Sequence, residues 1–327
     1  INWMEMKSMK AVIMAGGEGA RLRPLTCDRP KPMVPLMEKP MMEYIVELLV
    51  DHDIHNLAVT LQYLPENIMD YFGEKSPLGA NFTYFLEEEP LGTAGSVKNA
   101  ASFLDETFLV ISGDCLTDIN LSEALEFHRK KNALATIILT PQENPLEYGV
   151  VMVNDEGRII RFLEKPRWGE VFSDTVNTGI YVLEPEVLRY IPSNKKYDFS
   201  KDLFPLLLEK GEPLFGCVLS GYWCDIGSLE QYRYAHYDIL DKKVKVKLPA
   251  EEEEEGVWIA EDVYIAPGAR LMPPFFINKG TYIDTKSSIG EYTVLGSYNY
   301  LSEKVSTKRS ITWSRVTLQK NSIIRGS

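Results

Sequence analysis

Gly16, Gly17 and Gly19 follow an apolar run directly, and Arg21, Arg23, Arg29 and Lys31 come next, in the stretch KAVIMAGGEGARLRPLTCDRPKPMVPL. Glycines let a backbone approach a ligand closely, and cations beside them suit a phosphorylated ligand. Pro30, Pro32 and Pro35 restrict the chain around Lys31 and so favour a fixed charge there. GGEGARL is not a Walker A loop, because no GK[ST] follows it. It also misses the dinucleotide fingerprint, because Leu22 takes the third glycine's place. An ordinary turn with surface cations fits the same stretch taken alone. Two carboxylates sharpen the chemistry. Asp114 closes VISGD, and Asp225 lies beside a glycine in GYWCDIGSLEQY. Hard oxygen ligands of this kind suit Mg²⁺, which binds through one or two carboxylates plus substrate phosphates.

These groups need elements to position them. From Lys10 to about Leu240, short β-rich runs alternate with helical patterns. AVIMA (11–15), LAVTL (57–61), FTYFLE (82–87) and TFLVISGD (107–114) read as strands or strand ends. PMMEYIVELLVDHD (40–53), PENIMDYFG (65–73) and SVKNAASFL (96–104) read as helices, with Pro40 and Pro65 in first-turn positions. Such alternation predicts a largely parallel sheet covered on both faces, with ligands beyond the carboxyl ends of the strands. The glycine cluster and Asp114 both fall at such ends.

After EEEEE at 251–255 a six-residue rhythm begins. Its third place holds Ile259, Ile265, Leu271, Ile277, Ile283, Ile289, Leu295 and Leu301 in succession. One aliphatic residue per side is the pattern of a triangular β-helix. The rhythm loosens at Thr307, in VSTKRS and ITWSRV. So short a solenoid requires capping or packing against a neighbour. The acidic run reads as a solvated connection.

The chain of 327 residues has room for two domains, and its 45% hydrophobic and 25% charged residues are ordinary for a globular protein. A formal net charge of -12 argues against general attraction to nucleic acid or anionic membrane. Cys27, Cys115, Cys217 and Cys224 form no CxxC pair or metal-ligand spacing, and no apolar stretch approaches membrane-spanning length, so a reducing cytoplasm is the expected home. Met9 offers a native start after INWMEMKS, and either end is open to being a cloning remnant or a truncation. His52, His55, His128 and His236 form no cluster.

Taken together, the glycine–cation stretch, EEPLGTAGSV, VISGDCLTDINL, FLEKP, VNTGIYVLEP and GYWCDIGSLEQY resemble the sugar-1-phosphate nucleotidyltransferase family, and within it most nearly the mannose-1-phosphate guanylyltransferases. The resemblance runs from Met9 through nearly the whole chain. It implies an α/β fold: a Rossmann-like, mixed but mainly parallel sheet in a catalytic domain (9–240), then the acidic linker (241–256) and a short left-handed parallel β-helix (257–327). Relatives of this kind are expected to continue into a phosphomannomutase-like region, which does not follow in this sequence. The implied reaction joins an NTP and a sugar 1-phosphate into an NDP-sugar and pyrophosphate, with Mg²⁺ as cofactor.

By matching motifs, Ala15, Gly16, Gly17 and Gly19 would wrap the nucleotide phosphates. Arg21 would hold the β- and γ-phosphates, Lys31 would act at the α-phosphate, and Asp114 and Asp225 would carry the metal. Gly92 and Thr93, with Gln62, would lie along the base. Lys165 would bind the sugar phosphate, Glu164 and Asn177 the sugar hydroxyls, and Thr178 and Gly179 would be neighbouring contacts. The implied partners are small-molecule substrates, without nucleic acid or membrane, and a second copy of the chain packed through the β-helix or the catalytic domain. One departure stands out: Ala20 replaces the threonine of the family's GxGTRL loop, removing a hydroxyl that would bond phosphate or brace the loop. GTP with mannose 1-phosphate is the leading substrate pair. Glucose 1-phosphate with UTP, dTTP or ATP is the alternative, and a catalytically weak nucleotide-sugar sensor is the alternative of another class. An acyltransferase built on the β-helix lacks a histidine in the repeats.

Overall fold

The computed structural model describes residues 9–327, so the reading of INWMEMKS lies outside the described residues. The chain divides into two compact units. One holds the described residues up to Met33 together with Ile45–Asp225; the other holds Val34–Tyr44 and Ile226–Ser327.

The first unit is built on strands β1 (Lys10–Met14), β2 (Asn56–Leu61), β3 (Asn81–Leu86), β4 (Phe108–Ser112), β5 (Ala135–Pro141), β6 (Gly149–Val153), β7 (Ile159–Glu164), β8 (Thr175–Leu183) and β9 (Leu214–Val218). They form one nine-stranded sheet in the order β7–β6–β8–β4–β1–β2–β3, with β9–β5 joined through β8. β1 pairs in parallel with β2 and β4, β2 with β3, and β9 with β5. β8 runs antiparallel to β4, β5 and β6. The sheet is therefore of the mixed, mainly parallel, Rossmann-like kind. The run FLVI at 108–111 is wholly apolar and buried because both faces of the strand are covered.

Helices α1 (Met41–Asp51), α2 (Pro65–Phe72), α3 (Gly92–Asn99), α4 (Leu121–Lys131) and α5 (Phe204–Glu209) lie between these strands in sequence. Asn120 caps α4 by accepting from the backbone of Ser122 and Glu123, and Asn132 ends it in the left-handed region. Two sequence expectations shift. Pro40 is not in the first turn of α1; it belongs to a short ladder, Lys39–Pro40 against Pro35–Leu36. α3 starts before Ser96, because Gly92 can take φ 72°, and it gives way to a 3-10 turn at Ala101–Phe103. The core centres on Val12, Phe108, Val110, Ile137 and Leu139, with Tyr181, Phe199 and Phe204 clustered at ring separations of 4.8–5.5 Å.

The second unit contains α6 (Leu229–Leu240), capped by Ser228, and the left-handed β-helix. Three parallel ladders form its sides. Val257↔Phe275 and Phe275↔Thr293 are 18 residues apart, whereas Val294↔Ile311 and Tyr300↔Thr317 are 17 apart. One residue is thus missing from the corner after Thr307, which explains the loosened rhythm: the inward places continue as Thr307, Thr312, Leu318 and Ile324. The two inward threonines are satisfied inside the coil. Thr293 Oγ1 pairs with Thr307 Oγ1 at 3.4 Å, and Asn299 Nδ2 donates to Thr312 Oγ1 at 2.6 Å. Phe275, Ile277, Ile283, Ile289, Leu295 and Leu301 fill the core. Tyr264, Tyr282 and Tyr300 stack on the outside of one ladder, with centroids 4.8 and 5.1 Å apart. The acidic run keeps its side chains exposed, but its backbone at Glu251–Glu254 is a strand rather than a linker. It pairs antiparallel with Val257–Ile259 and covers the open edge of that ladder. Among the described residues no helix is long and apolar enough to cross a membrane.

Candidate active site

β1 ends in the glycine stretch, and two contacts fix its exit: Ala15 N–H donates to Thr60 O at 3.0 Å and Gly113 N–H to Met14 O at 2.9 Å. Gly16 and Gly17 then line a cavity of about 320 Å³ with Gln62, Gly92, Thr93 and Asp114. Gly92 is required: a Cβ there would stand 2.7 Å from Tyr197 O. Ala15 is buried just behind the cavity. Gly19 does not line it. At φ 68° it packs against the stem of Lys31, and its carbonyl accepts from Thr26 Oγ1 at 2.9 Å. Thr26 thus braces the loop from the other side, supplying one of the two roles expected of a hydroxyl at position 20. Arg21 is exposed, with no hydrogen-bond or ion-pair partner among the described residues.

A short antiparallel ladder, Cys115–Thr117 with Trp223–Asp225, pairs Cys115 with Asp225 and closes the long sequence gap between the two carboxylates. Lys31, on a 3-10 turn and 7% exposed, meets both. Its Nζ lies 2.6 Å from Asp114 Oδ2 and 3.1 Å from Asp225 Oδ1. Burial works against the ammonium, but the Asp114 and Asp225 charges outweigh it and hold its pKa above the ordinary value. Burial would also raise Asp114, yet Lys31 and the Ser112 hydroxyl hold it below the usual range. For Asp225 burial prevails over Lys31, the neighbouring Asp114 charge adds to the effect, and the carboxyl is raised. Two carboxylates converging on one cationic centre are a donor set that fits a hard divalent ion completed by water and substrate phosphate. Among the described residues no cluster of three or more His, Cys, Asp or Glu stands as a metal site.

The residues expected at the sugar lie at the ends of β7 and β8. Burial raises the Glu164 carboxyl, Lys165 opposing and Asp198 reinforcing the rise. Lys165, at φ 47°, is anchored by its backbone N–H to Tyr148 O while its side chain stays exposed, with no hydrogen bond or ion pair at contact distance among the described residues. A register shift in β8 between Asn177 and Tyr181 bulges the strand, and Gly179 supplies φ 77° within it. Asn177 donates to Tyr181 Oη at 3.1 Å and to Ser200 Oγ at 3.2 Å, and its Oδ1 accepts Gly179 N–H. Thr178 is 2% exposed with its hydroxyl donating to Ile138 O, so it braces the bulge from within the sheet. Trp223 packs edge-on to Tyr148 and donates to Thr178 O at 2.9 Å.

Four residues escaped the sequence reading. Thr60 Oγ1 and Glu87 Oε1 are buried without a hydrogen-bond partner among the described residues, and both residues line the cavity; the other Glu87 oxygen accepts Leu91 N–H. Asp198 accepts from Thr93 Oγ1, and Ser200 meets Asn177, so the segment between them links the two halves of the site. The signals were present: Glu87 ends a strand next to PLGTAG, and Asp-x-Ser is a helix-capping spacing, here opening a π-helical turn at Phe199–Leu203.

Residues 10–242 match the family model described as nucleotidyl transferase. The chain belongs to the nucleotidyl transferase family. A UTP–glucose-1-phosphate uridylyltransferase of Synechocystis is 37% identical over 91% of this chain and 87% of its own length. A mannose-1-phosphate guanylyltransferase of Mycobacterium tuberculosis is 32% identical over 86% of this chain and 78% of its own. Among solved structures, HddC from Yersinia pseudotuberculosis, complexed with GMP-PN, is 27% identical with a TM-score of 0.62, covering 71% of this chain and 99% of that one. Nucleotidyl transfer to a sugar 1-phosphate is accordingly the family-level activity of this nucleotidyl transferase, and the expected resemblance holds at that level.

Proposed function

We propose that this nucleotidyl transferase joins UTP and glucose 1-phosphate into UDP-glucose and pyrophosphate. The observation that carries the choice of base is the buried, unpartnered Oε1 of Glu87 in the cavity lined by Gly16, Gln62 and Gly92. A carboxylate oxygen only accepts hydrogen bonds. Uracil and thymine N3–H and guanine N1–H can satisfy it, whereas the corresponding ring nitrogens of cytosine and adenine are acceptors and leave it unpaired at a cost. Among the three permitted bases, the longer and more identical match to the Synechocystis uridylyltransferase favours UTP with glucose 1-phosphate. GTP with mannose 1-phosphate is the second reading, supported by the PLGTAG form and the Mycobacterium tuberculosis relative.

The sugar phosphate brings an ionised oxygen that attacks the α-phosphorus. The bond to the β-phosphate bridging oxygen breaks, and pyrophosphate leaves with that electron pair. No general base is needed, so the protein's task is alignment and charge neutralisation. Gly16 and Gly17 offer close backbone approach to the phosphates, and Arg21 is free to take the leaving pyrophosphate. Lys31, pinned between Asp114 and Asp225, is a rigid positive charge for the α-phosphate. Lys165 receives the sugar phosphate, and Glu164 and Asn177, steadied by Ser200, accept or donate to sugar hydroxyls. Asp114 and Asp225 would hold the divalent ion, which supplies charge neutralisation at the reacting phosphates. Incubation with Mg²⁺ and each of the four NTPs against glucose, mannose and N-acetylglucosamine 1-phosphates, read as pyrophosphate release, tests the reading. A peak for UTP with glucose 1-phosphate supports it, a peak for GTP with mannose 1-phosphate replaces it by the second reading, and a preference for ATP or CTP overturns the role of Glu87.

A further inference from the structure

A second cavity, of about 440 Å³, lies within the second unit between α6 and one corner of the β-helix. Successive coils place Tyr292 and Arg309 at the same corner, with φ 56° and 50°. The Arg309 guanidinium stands 5.7 Å from the Tyr292 ring centre. From α6, Tyr237 packs on Tyr292 at 4.8 Å, and Arg233 stands 5.8 Å from the Tyr234 ring. The rings are fixed by their hydroxyls: Tyr237 donates to Arg309 O at 3.0 Å and Tyr292 to Asp241 Oδ1 at 2.8 Å.

The charges around this cavity do not cancel locally. Asp238 and Asp241 are engaged by Lys243 at 2.7 and 3.5 Å, and Glu291 by Lys308 at 2.5 Å. Arg233 donates to Gly326 O at 3.0 Å, a neutral carbonyl. Among the described residues neither Arg233 nor Arg309 has a carboxylate within ion-pair distance. The lining carries three cations, Arg233, Arg309 and Lys243, against the two carboxylates Asp238 and Asp241, a local surplus of positive charge in a chain of net charge -12, and neither guanidinium is tied down by a carboxylate hydrogen bond among the described residues. Guanidinium forks match phosphate oxygens, and tyrosine faces accept a flat base. The cavity volume falls within the range of small-molecule sites.

We propose that this cavity is a second binding site, for a phosphate-bearing ligand of the nucleotide class, with Arg233 and Arg309 on the phosphates and the tyrosine cluster on the base. It is separate from the residues of the candidate active site and stands whether or not the uridylyl reading holds.

Titration calorimetry of the full chain with UDP, and separately with inorganic pyrophosphate, tests it. The wild type is expected to bind one equivalent of each that an Arg233→Ala/Arg309→Ala double variant does not bind, while kcat and KM of the variant stay within about twofold of the wild type. Tyr292→Ala is expected to weaken that equivalent roughly tenfold for UDP but not for pyrophosphate. Loss for UDP alone on removing Tyr292 identifies nucleotides as the source; equal loss of both in that variant overturns the role of the base. Arg309→Gln, at an exposed position, serves if the double variant does not fold. Retention of every equivalent in the arginine variants overturns the proposal.

Discussion

Gly19 and Lys31 are packed so closely that a methyl group on Gly19 would stand 2.7 Å from the Lys31 Cβ. Gly19→Ala therefore strains a φ of 68° and pushes the buried lysine off the two carboxylates. Turnover is expected to fall roughly 10²-fold, the scale of an ångström's misplacement, with a stability loss of about 1 kcal/mol or more. Gly17, where an added Cβ meets nothing within 4 Å, is the control. Steady-state kinetics and urea midpoints of the two variants make the comparison, and equal effects would remove the packing explanation.

Asp114→Asn keeps the volume of the side chain and removes its charge. The variant is expected to fold and to lose on the order of 10² or more in kcat. An unchanged rate would mean that neither Lys31 nor a divalent ion uses this carboxylate in turnover.

Glu87→Gln exchanges an acceptor-only group for one that also donates. Because an amide can satisfy either type of ring nitrogen, discrimination between UTP and CTP is expected to shrink by roughly tenfold or more, within the range of a charged hydrogen bond. Competition kinetics with both nucleotides measure it, and unaltered discrimination would place the base elsewhere.

His236 gives a pH signature in the second unit. Its Nδ1–H donates to Tyr232 O at 2.9 Å, and its Nε2 accepts Met37 N–H at 3.3 Å, an arrangement only the neutral ring can make. Burial lowers its pKa to about 4 from the ordinary 6.5. The folded chain thus binds fewer protons than the unfolded chain between those values, so the contribution is whole above pH 6.5 and is lost progressively as pH falls through about 4. The full loss is ~3 kcal/mol. Urea unfolding across this window should show a smaller acid loss in His236→Gln than in the wild type; identical slopes would contradict the burial.

The repeat in the tail was readable because one aliphatic place recurs every six residues, a signal that survives without tertiary knowledge. Its fault at Thr307 was visible too, but its cause was not, since only the 17-residue register reveals a shortened corner. Residue type and motif mark Asp114 and Asp225 in the sequence, whereas their meeting depends on the ladder that pairs Cys115 with Asp225. Pro40 misled because proline suits both a first helical turn and a short edge strand. Thr178 is adjacent in sequence to Asn177, yet its hydroxyl is spent on Ile138 O inside the sheet. Glu87 and Asp198 were hidden by composition: acidic residues are frequent in this chain, and only burial and an unpaired oxygen, or a bond to Thr93, separate these two from the rest.

The stacked rings of Tyr264, Tyr282 and Tyr300 give the β-helix an optical label of its own. Rings held in register along a ladder couple their near-ultraviolet transitions, and they lose that coupling as soon as neighbouring coils part. Circular dichroism in the tyrosine band should therefore carry a contribution that disappears as the coils part; with Trp258 and Trp313 of the second unit replaced by Phe, fluorescence of Trp168 and Trp223 reports the first unit, so that one variant records which unit yields first.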